Sequence, residues 1–246
     1  MIINIVKVSY LRSMKREITT TAGTLVRRLA YARCNVFLIG NPGHIIMIDT
    51  GMAPDRMYIK RTISRSGLNP EAVILTHTHF DHASNAAWIK REFNSKVIVH
   101  EAEAGHLSNG DTPIPAGTLA FTRGLVSIGR RLPSWFEYEK CHPDQTFTDR
   151  LSLDGFGFSC DLMHTPGHCP GEIAIVIDNE IVIAGDSLMG VFPGKIFPVF
   201  ADDESELINS WKKLLDTNCK VLLPGHGRPV SRETLEKEYL KRIEDL

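Results

Sequence analysis

Residues 76–82 read T-H-T-H-F-D-H and directly follow the apolar run 72–75. Neutral imidazole and carboxylate are the groups that zinc and iron accept from proteins. Three imidazoles and one carboxylate so close together therefore predict a metal site. His77 and His79 lie two positions apart on an extended segment, so both side chains leave the same face and can reach one ion.

Five further donors are predicted around this pair. Asp81 and His82 stand at the turn into the next helix, aimed at a neighbouring position. Four donors do not complete two sites, so other parts of the chain must contribute. His168 in H-T-P-G-H, Asp186 in A-G-D-S and His226 in P-G-H-G each follow a predicted strand, where open α/β sheets place their ligands. Each of these three alone fits a turn or capping role, but their shared placement predicts ligands.

Other residues near the predicted centre are given different roles. Asp49 ends the predicted strand 44–49, and we expect it either to hold a ligand imidazole or to cap the following turn. His164 precedes the H-T-P-G-H turn and is expected to pack or hydrogen-bond nearby. Cys169 adjoins His168 but points the other way on an extended segment, so we do not predict it as a ligand.

Composition limits the classes of function. The chain has 246 residues, of which 43% are hydrophobic and 23% charged, with a formal net charge of −1. We expect one globular domain, no nucleic-acid partner and no membrane span, since no apolar run reaches about 18 residues. The five cysteines are scattered without a C-x-x-C pair, which favours free thiols and a cytoplasmic location. The apolar run 1–8 precedes the first charges and is expected to form a first strand rather than a signal peptide.

Periodicity predicts an α/β fold in which strands and helices alternate. Strands are expected at 44–49, 72–75, 97–99, 156–163, 172–177, 181–184 and 221–223, and helices at 54–66, 83–93, 203–215 and 231–243. The proline- and aromatic-rich stretch of about 100–147 is predicted to be a partly helical cap inserted into a single domain, 1–246. We expect its aromatic side chains to form the core of that cap.

The ordered set of Asp49, H-T-H-F-D-H at 77–82, His168, Asp186 and His226 resembles the metallo-β-lactamase-fold superfamily. The spacing looks most like the glyoxalase II and lactonase branches. The resemblance implies a four-layer αβ/βα sandwich, in which two mixed β-sheets are flanked by helices and two metals lie between the sheets. By the family's pattern His77, His79 and His168 bind one ion, Asp81, His82 and His226 bind the other, and Asp186 bridges them.

A dinuclear metal-dependent hydrolase is the function that this resemblance implies. Two Zn²⁺ ions would share a water and lower its pKa, giving a hydroxide that attacks an acyl bond. Iron or manganese are alternative metals. Asp81 is the predicted catalytic residue, because it is placed to orient the hydroxide. The expected substrate is a small-molecule thioester or lactone, and a homodimer is compatible with the sequence.

Three other functions remain open from the sequence. Some relatives bind a single iron through positions matching His77, His168 and Asp186 and oxidise persulfides. Others of the same fold are nucleases or phosphodiesterases, which the near-neutral charge disfavours. A non-catalytic binding protein would need a degraded ligand set, and none of the motifs is degraded. Flavin-linked diiron relatives carry a glutamate where this chain has His79, and the second-site ligand pattern differs from that of secreted β-lactamases.

Overall fold

Two β-sheets form the framework of the computed structural model, which describes residues 17–29, 34–192 and 194–244. The seven strands of the first sheet follow chain order: β1 (Glu17–Thr19), β2 (Leu25–Leu29), β3 (Val36–Asn41), β4 (His44–Ile48), β5 (Ala72–Ile74), β6 (Lys96–His100) and β7 (Gln145–Phe147). Strands β1 to β4 pair antiparallel, whereas β4 to β7 pair in parallel.

The second sheet has six strands in the order β13-β12-β11-β10-β9-β8. Its strands are β8 (Arg150–Ser152), β9 (Cys160–His164), β10 (Ile173–Ile177), β11 (Ile181–Gly190), β12 (Val221–Gly227) and β13 (Val230–Ser231). Only the β11–β12 pair is parallel within this sheet. Both sheets are therefore mixed, as predicted.

Seven α-helices connect or cover the strands in the described ranges. They are α1 (Arg56–Ser66), α2 (Phe80–Ala83), α3 (Ala86–Phe93), α4 (Glu101–Asn109), α5 (Ala120–Gly129), α6 (Glu204–Leu215) and α7 (Arg232–Glu244). Local signals set their ends: α1 stops at Gly67 in the left-handed region, and the Asp203 carboxylate accepts the Glu206 N–H at the start of α6. None of these helices has the length and apolar composition needed to cross a bilayer.

Alternation along the strands divides the apolar residues into three layers of core. Ile46 and Ile48 point between the two sheets, where they meet residues such as Leu162 and Ile175 of the second sheet. Met47, between them, faces the helices outside the first sheet, and a third cluster around the fully buried Trp211 lies outside the second sheet. Helices, sheet, sheet and helices thus form four layers, which confirms the predicted fold class.

Two predicted elements begin later in the structure than expected. The helix expected at 83–93 begins at Ala86 as α3, and Ala83 instead ends α2. Between them, the Asn85 side chain donates to the carbonyls of Thr50 and Met52. The strand expected at 156–163 starts only at Cys160, after a 3-10 helix, Asp154–Phe156, that ends at Gly157 with φ of 72°. The strand expected at 1–8 lies outside the described residues.

The stretch 100–147 contains α4, α5 and the 3-10 helix Pro133–Phe136, and its last three residues form β7 of the first sheet. Two of its aromatic side chains contradict the expectation of a cap core: Phe121 is 64% exposed and Trp135 is 74% exposed. Phe121 lies on α5, which buries only Thr122 and Val126, and Trp135 lies in the 3-10 helix Pro133–Phe136, which buries no residue. We use the term cap below for residues 101–144.

Candidate metal centre

The histidine-rich segment 76–82 lies at the junction of the two sheets. It leaves β5 after Ile74, and the Thr76 carbonyl accepts the N–H of Ile173, the first residue of β10. The chain stays extended as far as His79 and then turns into α2. This backbone connection holds the segment against the second sheet, so its side chains face the donors that the second sheet supplies.

Those donors come from two strands of the second sheet and from one connection between its strands. His168 lies in the connection between β9 and β10, as predicted. Asp186 and His226 were expected just past strand ends, but they lie within β11 and β12. The two strands continue because their register shifts between Ile183 and Gly185 and again before Met189, and such an irregularity turns a side chain towards the site without ending the strand.

All seven predicted donors converge. Three groups have potential ligand atoms within 4.8 Å of one another: His77, His79 and His168; His77, His82 and Asp186; and Asp81, His82 and His226. The Asp186 carboxylate lies between them, with Oδ2 3.2 Å from His226 Nε2 and 3.8 Å from His168 Nε2. His77, His79, His82, His168 and Asp186 are buried, and the side chains of Asp81 and His226 are 16% and 17% exposed.

Several of these buried atoms have no hydrogen-bond partner among the described residues. They are His77 Nε2, His79 Nε2 and Asp186 Oδ1. A buried polar atom without a partner costs about 1–3 kcal/mol, and proteins keep such atoms mainly where a ligand satisfies them. The unsatisfied nitrogens and carboxylate oxygen, set among further imidazoles, are a donor set that suits divalent metal ions.

Protein acceptors fix the orientation of two of the imidazoles. The Asp49 carboxylate lies 2.8 Å from His82 Nδ1 and also accepts the Thr76 N–H at 2.8 Å. The structure thus gives Asp49 the role of holding an imidazole. The Phe200 carbonyl accepts a hydrogen bond from His168 Nδ1 at 2.9 Å. In both rings Nδ1 is occupied, so Nε2 is left to face the centre.

Charge at the centre follows from burial and from these neighbours. Burial lowers the pKa of His77 and His79 well below the ordinary value, and nearby imidazoles lower it further. Burial also disfavours charge on His82, but Asp49 and other carboxylates outweigh it and raise the pKa of His82 to about 10. Burial opposes ionisation of Asp186, yet His226 and His82 hold its pKa below the usual range. His77 and His79 are therefore neutral, the form in which imidazole binds a metal.

The histidines outside the seven-donor set, and Cys169, lie outside the candidate centre. His164 stacks on His100 with ring centroids 4.0 Å apart, and its Nε2 bonds the Pro170 carbonyl, as expected of a packing residue. Cys169 is buried and its Sγ lies 3.9 Å from a Glu172 oxygen. Neither residue belongs to a potential ligand group, nor do His44, His106 and His142.

Sequence reasoning missed two buried acids near the centre, Glu103 and Glu172. Glu103 accepts the N–H groups of Thr78 and Gly171, and so holds the backbone beside two ligands. Glu172 lies 3.2 Å from His77 Nδ1. A signal for Glu172 was present, because a charged residue there directly precedes the wholly apolar strand β10.

The cap contacts the histidine-rich segment 76–82 directly. Tyr138 donates a hydrogen bond to the Thr78 carbonyl at 2.9 Å, and the ring of Phe136 packs on Phe80 at 5.3 Å between centroids. On the other side, residues 116–118 pair with residues 199–201, next to the carbonyl that holds His168. The cap therefore contacts both the segment 76–82 and the β11–α6 connection whose carbonyl holds His168.

Comparison with known proteins identifies the family of the chain. Residues 32–226 match the sequence profile of the metallo-beta-lactamase superfamily. The chain belongs to this superfamily. It is 32% identical over 186 residues to a hydroxyacylglutathione hydrolase of Haemophilus influenzae, covering 74% of this chain and 79% of that protein. It is 27% identical over 202 residues to a probable metallo-hydrolase of Methanocaldococcus jannaschii, covering 80% and 88%.

Solved structures agree on the architecture of this superfamily member. The B3 metallo-beta-lactamase BLEG-1 superposes with a TM-score of 0.69 at 23% sequence identity, covering 86% of this chain and 96% of that one. At this identity the likeness concerns the fold alone. It supports the four-layer arrangement described above.

Proposed function

We propose that the chain is a dinuclear metal-dependent hydrolase that cleaves an acyl bond, a thioester or a lactone, in a small molecule. The observation that carries this proposal is the convergence of seven imidazole and carboxylate side chains on a buried centre with unpartnered nitrogens and oxygens. The 32% identity to a hydroxyacylglutathione hydrolase supports the thioester class. The potential ligand groups contain donors for two ion positions rather than one, which favours this function over a mononuclear iron dioxygenase.

Each side chain has a defined part in the proposal. His77, His79 and His168 would hold one ion, Asp81, His82 and His226 the other, and Asp186 would contact both. When bound, two divalent ions supply a hydroxide nucleophile near pH 7 and a Lewis acid for the developing oxyanion. The imidazoles whose Nδ1 is held by a protein acceptor present Nε2 in a fixed direction, so little reorganisation is needed.

Asp81 is the proposed catalytic residue. It is one of the two most accessible of the seven donors, with a side chain 16% exposed and Oδ2 3.5 Å from His226 Nε2. A carboxylate at the rim can accept a proton from the attacking water and orient it towards the acyl carbon. The more deeply buried Asp186 is surrounded by imidazoles and is less able to reach a substrate.

The test combines metal analysis with a substrate panel. Purified protein is analysed for bound metal and assayed with a thioester, a lactone, a phosphodiester and a persulfide, before and after chelation. We expect about two divalent ions per chain, acyl hydrolysis that chelation abolishes, and recovery with Zn²⁺. One iron per chain with persulfide oxidation, or acyl hydrolysis that survives metal removal, would contradict the proposal.

A matched pair of variants makes this test specific. His168→Ala should lose bound metal and reduce acyl hydrolysis by more than about 100-fold, because loss of a direct ligand exceeds the 10- to 100-fold cost typical of its supporting residues. His164→Ala removes an imidazole four positions away that contacts His100 rather than the centre. It should retain the metal content of the wild type. Equal metal loss in both variants would refute the ligand assignment.

A further inference from the structure

Glu172 is a fully buried acid that the seven-donor set does not include. It lies at the end of the H-T-P-G-H-C-P-G-E segment, directly before β10, and its side chain has no exposed surface. A buried carboxylate is costly unless it is hydrogen-bonded or paired. The contacts of Glu172 therefore indicate what keeps it there.

Each oxygen of Glu172 contacts a different predicted ligand. Oε1 accepts the backbone N–H of Asp186 at 2.9 Å, and Oε2 lies 3.2 Å from His77 Nδ1. His77 follows a strand of the first sheet, whereas Asp186 belongs to β11 of the second. One carboxylate thus joins ligand residues from both sheets.

Proton counting gives the tautomer of His77. Its Nδ1 lies 3.0 Å from Thr76 Oγ1 as well as near Glu172. The Thr76 hydroxyl has a single hydrogen, and both Asp49 oxygens lie within 3.1 Å to receive it. Towards His77, Thr76 can then only accept, as can a carboxylate. With Glu172 as the ionised carboxylate, Nδ1 carries the proton, and the buried Nε2, which has no partner in the described residues, keeps a free lone pair.

The backbone beside Glu172 is shaped to admit the carboxylate. Gly185 has φ of +51°, and a Cβ at this position would overlap Glu172 Oε1 and press against Thr76. Only a residue without a side chain leaves room for the oxygen that accepts the Asp186 N–H. The glycine before the predicted bridging ligand and the buried acid are therefore complementary in shape.

We propose that Glu172 is a positioning residue for the metal centre. It fixes His77 in the Nδ1–H tautomer, so that Nε2 is directed to an ion, and it sets the position of Asp186 relative to His77 across the two sheets. The inference rests on the proposed function, because it assumes that these residues bind metal. Asp49 does the same for His82, so each of these rings has its own buried carboxylate.

Glu172→Gln separates this role from simple space filling, because the amide has nearly the same shape. An amide offers one oxygen and one NH₂ group. If its oxygen keeps the Asp186 N–H, its NH₂ faces the Nδ1–H of His77 and that bond is lost; the reverse orientation loses the bond to Asp186. Asp144→Asn is the control, since the Asp144 carboxylate also accepts one backbone N–H, from Val97, and one side-chain N–H, from Lys90, but contacts none of the seven predicted donors in the described part of the chain.

The experiment measures Zn²⁺ affinity by chelator competition in the wild type, Glu172→Gln, Asp49→Asn and Asp144→Asn, with unfolding free energy measured alongside. We expect Glu172→Gln and Asp49→Asn each to weaken the binding of one Zn²⁺ ion by about 10- to 100-fold. Asp144→Asn should lower the unfolding free energy while Zn²⁺ affinity stays within about twofold. Nitrogen NMR of the metal-free wild type should show His77 protonated at Nδ1, a readout that does not depend on how well any variant folds.

Two results would overturn the inference. One is unchanged Zn²⁺ affinity in a folded Glu172→Gln variant of a metal-binding wild type, which would leave the proposed function intact. The other is a metal-free wild type in which His77 carries its proton on Nε2. If the wild type binds no divalent ion at all, the proposed function itself fails, and this inference fails with it.

Discussion

At the scale of single residues, the direction of three of the imidazoles is decided by the group on Nδ1. His82 has Asp49, His168 has the Phe200 carbonyl, and His77 has Thr76 and Glu172. These acceptors come from distant parts of the chain, and each occupies the nitrogen that is not needed at the centre. The orientation of these three predicted donors is therefore set by the fold itself, which would reduce the reorganisation that metal binding requires.

The sequence predicted the donors better than it predicted their supports. The seven donors have chemistry and spacing that can be recognised in a linear motif, and Asp49 ends a recognisable strand. The role of the Phe200 carbonyl depends on how the second sheet meets the first, which no local pattern encodes. Glu172 left a single local signal, a charge directly before the apolar strand β10. A backbone carbonyl in particular leaves no trace in residue type.

Gly167, next to His168, packs closely against the backbone of α6, and a substitution there tests the importance of this close packing. Its φ is +132°, and a Cβ there would overlap the backbone of Leu207 in α6. Gly167→Ala should lower the free energy of unfolding by more than about 2 kcal/mol, through strain and displacement of α6, and should weaken Zn²⁺ binding. Gly155→Ala is the control, because nothing lies within 4 Å of a Cβ at that position. Urea unfolding of both variants makes the comparison, and equal stability losses would contradict the argument.

At the scale of elements, the two parallel strands β11 and β12 contribute two of the donors from within their length. Asp186 and His226 lie beyond shifts in register, so the pairing continues on the far side of the site as far as Gly190 and Gly227. The sequence predicted only the apolar first halves of both strands, because the second halves contain glycine and polar residues that are typical of loops. Pairing with a neighbouring strand, rather than propensity, makes these segments extended.

Tyr138 connects the cap to the histidine-rich segment 76–82 through one hydrogen bond from its hydroxyl. Burial raises the pKa of Tyr138, so it remains a protonated donor to the Thr78 carbonyl. Tyr138→Phe should lower the free energy of unfolding by about 1 kcal/mol, the usual contribution of one such hydrogen bond. Local opening of the cap should then become more frequent. Hydrogen exchange should then be faster in 101–144 than in the wild type. Unchanged exchange there would show that the other cap contacts suffice.

Asp144 joins the end of the cap to α3 and β6 and predicts a dependence of stability on pH. Its carboxylate accepts from Lys90 and from the Val97 N–H, each at 2.8 Å. Burial opposes ionisation, but these two bonds outweigh it and lower the pKa of Asp144. A carboxylate whose pKa is lower in the folded state than in the unfolded state stabilises the folded protein at neutral pH. This contribution is lost as the pH falls through the folded-state pKa.

Asp144→Asn should therefore lower the unfolding free energy by about 1 kcal/mol at pH 7, a modest value because the side chain is partly solvated. The difference from the wild type should shrink towards pH 3. Asp216→Asn is the control, since Asp216 pairs with Lys212 on the surface of α6 at 65% exposure and should change stability by only a few tenths of a kcal/mol. A difference that is constant from pH 7 to pH 3 would exclude the ionic explanation.

At the scale of the whole molecule, the centre is assembled where the two sheets meet. Alternating apolar residues predicted the helices and the central strands, and hence the fold class. They did not predict the first three strands of the first sheet, β1 to β3, nor the short strands β7 and β8 and the 3-10 helices. Three-residue elements carry too little periodicity to be read. The pairing of the two sheets followed from the resemblance to a family, and not from the pattern of residues alone.

The layered core also predicts the reactivity of the thiols. All five cysteines are free and buried. Burial raises the pKa of each, that of Cys160 to about 12. Since the thiolate is the reactive form, native protein at pH 7.5 should react with a thiol reagent only slowly. All five thiols should react rapidly in denaturant, and fast stoichiometric labelling of the native chain would be incompatible with this packing.

The pairing of residues 116–118 with residues 199–201 has a consequence for how this enzyme family member can evolve. The same backbone segment borders the cap on one edge and offers the Phe200 carbonyl to His168 on the other. Under the proposed function, changes that reshape the cap would displace the ring of His168, a proposed ligand. Substrate specificity and metal affinity would then be linked, and we expect selection for one to have a measurable effect on the other.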